Sequence, residues 1–227
     1  MIPVGADLLA PAEGGSRVPV PVLPDGRLAA GAARLATAHR GRFCAETVQR
    51  VITDSYERLA ATARVTTHLV VLAECLAAER LDALAHIEGA PGSGLPRVLF
   101  VCSHNAGRSQ LAAALLAHRA QGHVTVSSAG THPAAAVAPV VAQVLTEAGV
   151  PSAESAFPKP LTDEVVQAAD IVITMGCGDA CPVVAGRRYL DWPVADPEGA
   201  PIAVVRSIRD AIDAHITELL DSLPSAA

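Results

Sequence analysis

The chain has 227 residues, about half of them apolar but only 3% aromatic, and a formal net charge of −6. That allows an aliphatic core and one large or two small domains. The acid excess falls in residues 96–227, where eight bases face thirteen acids, and no basic stretch occurs anywhere, which excludes a nucleic-acid surface.

No apolar run reaches the roughly 20 residues of a membrane span. The start of the chain lacks the charged and apolar segments of a secretory signal. Five cysteines are too few for a disulfide scaffold in a chain this long. A cytoplasmic protein with no membrane contact is therefore expected. The sequence leaves the oligomeric state open, with a monomer favoured.

Residues 1–28 are rich in Pro and Gly and show no periodicity, as in a flexible tail. Residues 29–88 carry apolar residues at three- and four-residue spacing, as in Cys44, Val48, Val51, Ile52, Tyr56 and Leu59. Leu69, Leu72, Leu76, Leu84 and Ile87 resume the pattern after a break near Val65-Thr66-Thr67. Two or three packed helices are expected there. Residues 89–96 read as a Gly/Pro-rich linker.

Residues 97–227 alternate strand and helix patterns. Strands are expected at 97–101, 124–128 and 171–175, with a short one at 188–190. Helices are expected at 109–121 and 138–148, after a Thr162 cap followed by Asp163 and Glu164, and at 203–222. In the last, Val204, Ile208, Ala211, Ile212, His215 and Leu219 form the expected inner face. This order implies an α/β fold: a four-stranded parallel sheet flanked by helices, preceded by a small helical bundle. Ligands of such sheets bind at the carboxyl ends of the strands.

The segment Cys102-Ser103-His104-Asn105-Ala106-Gly107-Arg108-Ser109 lies between the first strand and the first helix of this region. A loop of this length can curl its backbone N–H groups inward at a helix N-terminus and hold a tetrahedral oxyanion. The same field favours a thiolate at Cys102. Arg108 can grip two oxygens in a fork that lysine cannot reproduce. Ser109 is placed to donate to the Cys102 sulfur, and Asn105 and Gly107 tolerate the left-handed dihedrals that the curl needs. The His104 side chain is expected to point outward. Cys44 and Cys75 are expected to be small core residues. No residues show metal-ligand spacing, and no bound metal or cofactor is expected.

These residues resemble the low-molecular-weight protein tyrosine phosphatase superfamily over about residues 96–222. Three features resemble its thioredoxin- or mycothiol-coupled arsenate reductases. They are the first strand and loop with Gln110 where phosphatases usually have Pro, the segment Phe157-Pro158-Lys159-Pro160-Leu161-Thr162-Asp163-Glu164, and the segment from Val172 to Pro182 that holds Cys177 and Cys181. The helical segment resembles a three-helix domain that precedes some members.

The resemblance implies that Cys102 attacks arsenate, with phosphate as a competitor. Cys177 then resolves the adduct, and Cys181 passes the disulfide to thioredoxin. The three residues between Cys177 and Cys181 leave a second route open, in which mycothiol attacks the adduct on Cys102 and a mycoredoxin completes the cycle. Either way the reductant is an external thiol. Asp196, in Asp196-Pro197-Glu198-Gly199, resembles the superfamily's general acid. The aromatic residue that commonly follows this Asp-Pro is absent, which favours a reductase over a protein tyrosine phosphatase.

Overall fold

A computed structural model describes residues 26–63, 67–89, 94–150, 156–177 and 181–223. The expected tail (1–25 of it), the core of the linker and the residues between the two downstream cysteines, Asp179 among them, lie outside the described residues.

Four strands form one parallel sheet in the order β2-β1-β3-β4. They are β1 (Arg97–Cys102), β2 (Thr125–Gly130), β3 (Ile171–Thr174) and β4 (Arg188–Asp191). The central strands β1 and β3 are short apolar runs buried on both faces, as parallel strands must be. Cys102 pairs in register with Gly130, and Val101 with Thr174, so the ends of β1, β2 and β3 lie side by side.

One face of the sheet presents Val98, Phe100, Ile171 and Ile173 to helices α4 (Arg108–Ala120), α5 (Pro139–Glu147) and α7 (Ile202–Ser222). The opposite face presents Leu99, Val101 and Val172 to α6 (Asp163–Ala168). The expected fold class is thus observed. The ends of the elements shift by a residue or two from those expected. In α7 it is Val205, not Val204, that packs inward with Ile208, Ile212, Ile216 and Leu219. Val204 is 43% exposed, because one helical step turns a side chain through about 100°. Ala211 is exposed as well, and His215 stacks on Trp192 at 5.0 Å.

The N-terminal bundle consists of α1 (Gly26–Ala38), α2 (Ala45–Ala60) and α3 (Leu69–Ile87). Leu28, Val48, Ile52, Leu76 and Leu81 form its core. Cys44 departs from expectation. It is exposed at the N-cap of α2, ahead of the helical repeat, and its sulfur lies 3.2 Å from Thr47 Oγ1. Cys75 is partly buried against the bundle core.

The bundle docks on α6 through α3. Arg80 of α3 is almost buried; it pairs with Glu164 of α6, pairs with Asp54 at 2.6 Å and donates to Ser55 Oγ at 2.9 Å. Arg97 of β1 reaches Asp82 of α3 at 2.8 Å. Phe157 belongs to the far side of the interface by sequence, yet it is buried in the bundle core. Such a burial contributes about 1.5–3 kcal/mol. Thr162 occupies the N-cap of α6 as expected, but its hydroxyl makes no cap and is buried without a partner among the described residues.

Candidate active site

The site is built where β1 ends and α4 begins. Cys102 is the last residue of β1 and is buried, and Arg108 is the first of α4. The loop between them is held open from outside. The carbonyls of Cys102, Ser103, His104 and Ala106 accept hydrogen bonds from the N–H groups of Thr131, His132, Ala134 and Ala138, at 2.8–3.2 Å. No peptide bond is cis among the described residues, and across a planar trans peptide the N–H points opposite the carbonyl. The N–H groups of Ser103, His104, Asn105 and Gly107 therefore face the inside of the loop. The Asn105 N–H reaches the Cys102 sulfur at 3.2 Å. An inward ring of N–H groups at the start of a helix is an anion site.

Asn105 sets the shape of this ring. It is fully buried with φ +47°. Its Nδ2 donates to Ser109 Oγ at 2.8 Å, and Ser109 Oγ lies 3.0 Å from Cys102 Sγ. Because the amide already donates to the hydroxyl oxygen, the hydroxyl proton is left for the sulfur. Gly107 does not adopt the expected left-handed conformation; its φ is −130°. It is glycine for space, since a Cβ there would sit 2.5 Å from Pro197 Cγ. Gly130 opposite Cys102 is similar, as a Cβ there would lie 2.9 Å from Ser103 O and Asn105 N.

Arg108 Nη2 donates to Asp196 Oδ2 at 2.6 Å, and Asp196 Oδ1 accepts the Glu198 N–H at 3.1 Å. The guanidinium lies directly over Gly176, whose φ of +75° also favours glycine, so a side chain there would push Arg108 aside. Gly176 O accepts the Ser103 hydroxyl at 2.8 Å. Together Cys102, His104, Arg108, Asp196 and Glu198 line a cleft of about 400 Å³ whose other wall is Ala134, Ala136, Val137 and Pro139. His104 points outward as expected, half exposed, with Nδ1 3.6 Å from Glu198.

Cys177 and Cys181 lie beyond the end of β3, beside the strand that carries Cys102. Neither lines the cleft. Cys177 is buried and Cys181 packs against the same small core as Leu99 and Val101. Burial pushes both thiols up, Cys181 to about 11, with the charge of Cys177 adding to the rise at Cys181. Cys102 is close enough for its charge to raise Cys177 further. Tyr189 of β4 anchors the chain just past Cys181; its hydroxyl donates to Pro182 O and accepts the Val184 N–H, both at 2.9 Å. Such an arrangement can pass a disulfide from one sulfur to the next.

The sequence singled out the loop residues, the two downstream cysteines and Asp196. It missed the segment 131–138, Tyr189 and the roles of Gly130 and Gly176. The glycines carried a signal, since a glycine at a strand end marks close approach of another backbone or side chain. Among the described residues, no three His, Cys, Asp or Glu side chains converge as metal ligands, and no helix is long and apolar enough to cross a membrane.

Residues 28–85 match the protein-tyrosine-phosphatase-like N-terminal domain, and residues 97–226 match the low molecular weight phosphotyrosine protein phosphatase family. The solved structure of the thioredoxin-dependent arsenate reductase from Corynebacterium glutamicum is 50% identical, with a TM-score of 0.79 over 88% of this chain and 98% of that one. A putative arsenate reductase from Halobacterium salinarum is 34% identical over 127 residues, spanning 54% of this chain and 89% of that protein. A protein-arginine-phosphatase from Geobacillus stearothermophilus is 34% identical over 143 residues, spanning 56% of this chain and 95% of that protein. The chain thus belongs to the low molecular weight phosphotyrosine protein phosphatase family.

Proposed function

We propose that this protein is an arsenate reductase that uses an internal cysteine relay and is recharged by a thioredoxin-type dithiol. The observation that carries the reading is the clustering of Cys177 and Cys181 with Leu99 and Val101 of the strand that ends in Cys102, the sulfur of the oxyanion loop. Hydrolysis of a phosphate ester needs the loop and an acid only. Reduction of an oxyanion needs a second thiol, and this chain carries two just beyond the neighbouring strand.

Arsenate enters the ring of N–H groups from Ser103 to Ser109, and Arg108 turns from Asp196 to grip two of its oxygens. The Cys102 thiolate attacks arsenic while Asp196, protonated, gives its proton to the departing oxygen, which leaves as water. Cys177, as thiolate, attacks Cys102 Sγ. The S–As bond breaks, its electron pair stays on arsenic, and arsenite leaves. Cys181 attacks Cys177, frees the Cys102 thiolate and forms a Cys177–Cys181 disulfide. An external dithiol reduces that disulfide.

Incubation with arsenate, NADPH, thioredoxin and thioredoxin reductase tests the activity. The expected result is arsenate-dependent NADPH consumption that Cys102→Ser and Cys177→Ser abolish. Consumption only with mycothiol and mycoredoxin, surviving Cys177→Ser, would replace the internal relay with the low-molecular-weight thiol route. No consumption with either donor, with aryl phosphate turnover that survives Cys177→Ser, would make the protein a phosphatase.

A further inference from the structure

The segment 157–159 touches the oxyanion loop and the N-terminal bundle at once. On the loop side, Lys159 N–H donates to Asn105 Oδ1 at 2.8 Å. Phe157 O accepts Gln110 Nε2 at 2.9 Å, and the same nitrogen lies 3.0 Å from Asn105 Oδ1 and 3.1 Å from Asn105 O. The Asn105 amide is thereby fixed with its oxygen toward the strap and its nitrogen toward Ser109. Turned over, it would face two donors with a third and leave Ser109 without its donor. The strap also follows the end of β2, where Lys159 O accepts the Gly130 N–H at 2.8 Å and Gly130 O accepts the Leu161 N–H at 2.9 Å.

On the bundle side, the Phe157 ring is buried among the bundle's core residues. The Lys159 ammonium, 14% exposed, lies 2.8 and 2.9 Å from the two carboxylate oxygens of Glu79 on α3 and 5.7 Å from the centre of the Phe157 ring. Backbone and side chain of one residue therefore grip different domains. Lys159 joins Glu79 to Asn105, and Asn105 joins Ser109 to the nucleophile's sulfur.

We infer that the N-terminal bundle is a positioning element for the oxyanion loop, acting through Glu79, Lys159 and Phe157 on Asn105. The inference rests on the reading of the Cys102 loop as an oxyanion site. Glu79 and Lys159 touch neither substrate nor Cys102. They act by keeping Asn105 in its buried left-handed conformation. When that hold is weakened, a smaller fraction of molecules carries a competent loop. Apparent anion affinity falls by that fraction. A bound anion draws the loop back to its competent form, so turnover at saturation is preserved.

The test uses the full-length chain with Glu79→Gln, Lys159→Met and the charge swap Glu79→Lys with Lys159→Glu. Inorganic phosphate binding is measured by calorimetry, arsenate KM and kcat in the thioredoxin-coupled assay, and melting temperature in parallel. Glu79→Gln is isosteric at a partly exposed position and keeps the fold. Both single variants are expected to raise the phosphate Kd and arsenate KM about fivefold, with kcat changed less than about twofold. The charge swap is expected to recover most of the loss. A lowered melting temperature with unchanged Kd and KM would overturn the inference and leave the contact purely structural, and so would loss that the swap does not repair. If the unaltered protein binds no phosphate, the reading of the site itself fails.

Discussion

Arg108 and Asp196 face each other in the cleft, joined at 2.6 Å, so the cation proposed to hold the anion is already paired with the proposed general acid. An incoming oxyanion competes with the Asp196 carboxylate for the guanidinium. Protonation of Asp196 weakens that pair and arms the acid at the same time. In the proposed mechanism one proton thus couples anion capture to leaving-group departure.

Asp196→Asn separates these roles. The amide holds Arg108 less strongly than a carboxylate does. The pair is partly exposed, so the carboxylate's advantage is about 1 kcal/mol. Phosphate is expected to bind about fivefold more tightly by calorimetry, while arsenate turnover falls by about 10² for want of the acid. Weaker phosphate binding in this variant would show that Asp196 supports the anion site instead of competing with it.

The thiols differ in their pH dependence. Cys181 is pushed up to about 11 by burial and by Cys177, whereas the Thr47 hydroxyl holds the exposed Cys44 below the usual thiol range. A raised value leaves Cys181 protonated at neutral pH, and its thiolate fraction grows about tenfold per pH unit up to that value. Mass-resolved alkylation with iodoacetamide at pH 7 is expected to label Cys44 well before Cys181, with the Cys181 rate still climbing at pH 10. A Cys181 rate that levels off near pH 8 would contradict this ordering.

Arg80 holds the bundle to the sheet domain. Its removal leaves the largely buried Glu164 without its cation and near the more exposed Asp54. Arg80→Met is expected to cost about 3 kcal/mol in chemical denaturation. Because α3 and α6 share the contact, bundle and sheet domain are expected to unfold together in the unaltered protein and apart in the variant, as read by separate tryptophan fluorescence and helical circular dichroism transitions.

Much of the site was legible because its chemistry is local. Residues 102–109 span one strand–loop–helix turn, and the relation of Cys102, Asn105 and Ser109 follows from spacing alone. The contacts that set the loop from outside were not legible. Gln110 meets Phe157 across 47 residues, and Lys159 meets Glu79 across 80. Neither leaves a periodic trace. Apolar periodicity placed the strands and most helices, but it mistook Cys44 for a core residue because a capping residue continues the stripe in sequence and leaves it in space.

In the proposed relay, electrons pass from Cys177 to the arsenic held on Cys102. The direct measurement is mass spectrometry of the Cys181→Ser variant, acid-quenched after mixing with excess arsenate in the absence of any external thiol. The expected result is one arsenite released per chain and a Cys102–Cys177 disulfide. A chain that retains free Cys177 and releases no arsenite until an external thiol is added would contradict it.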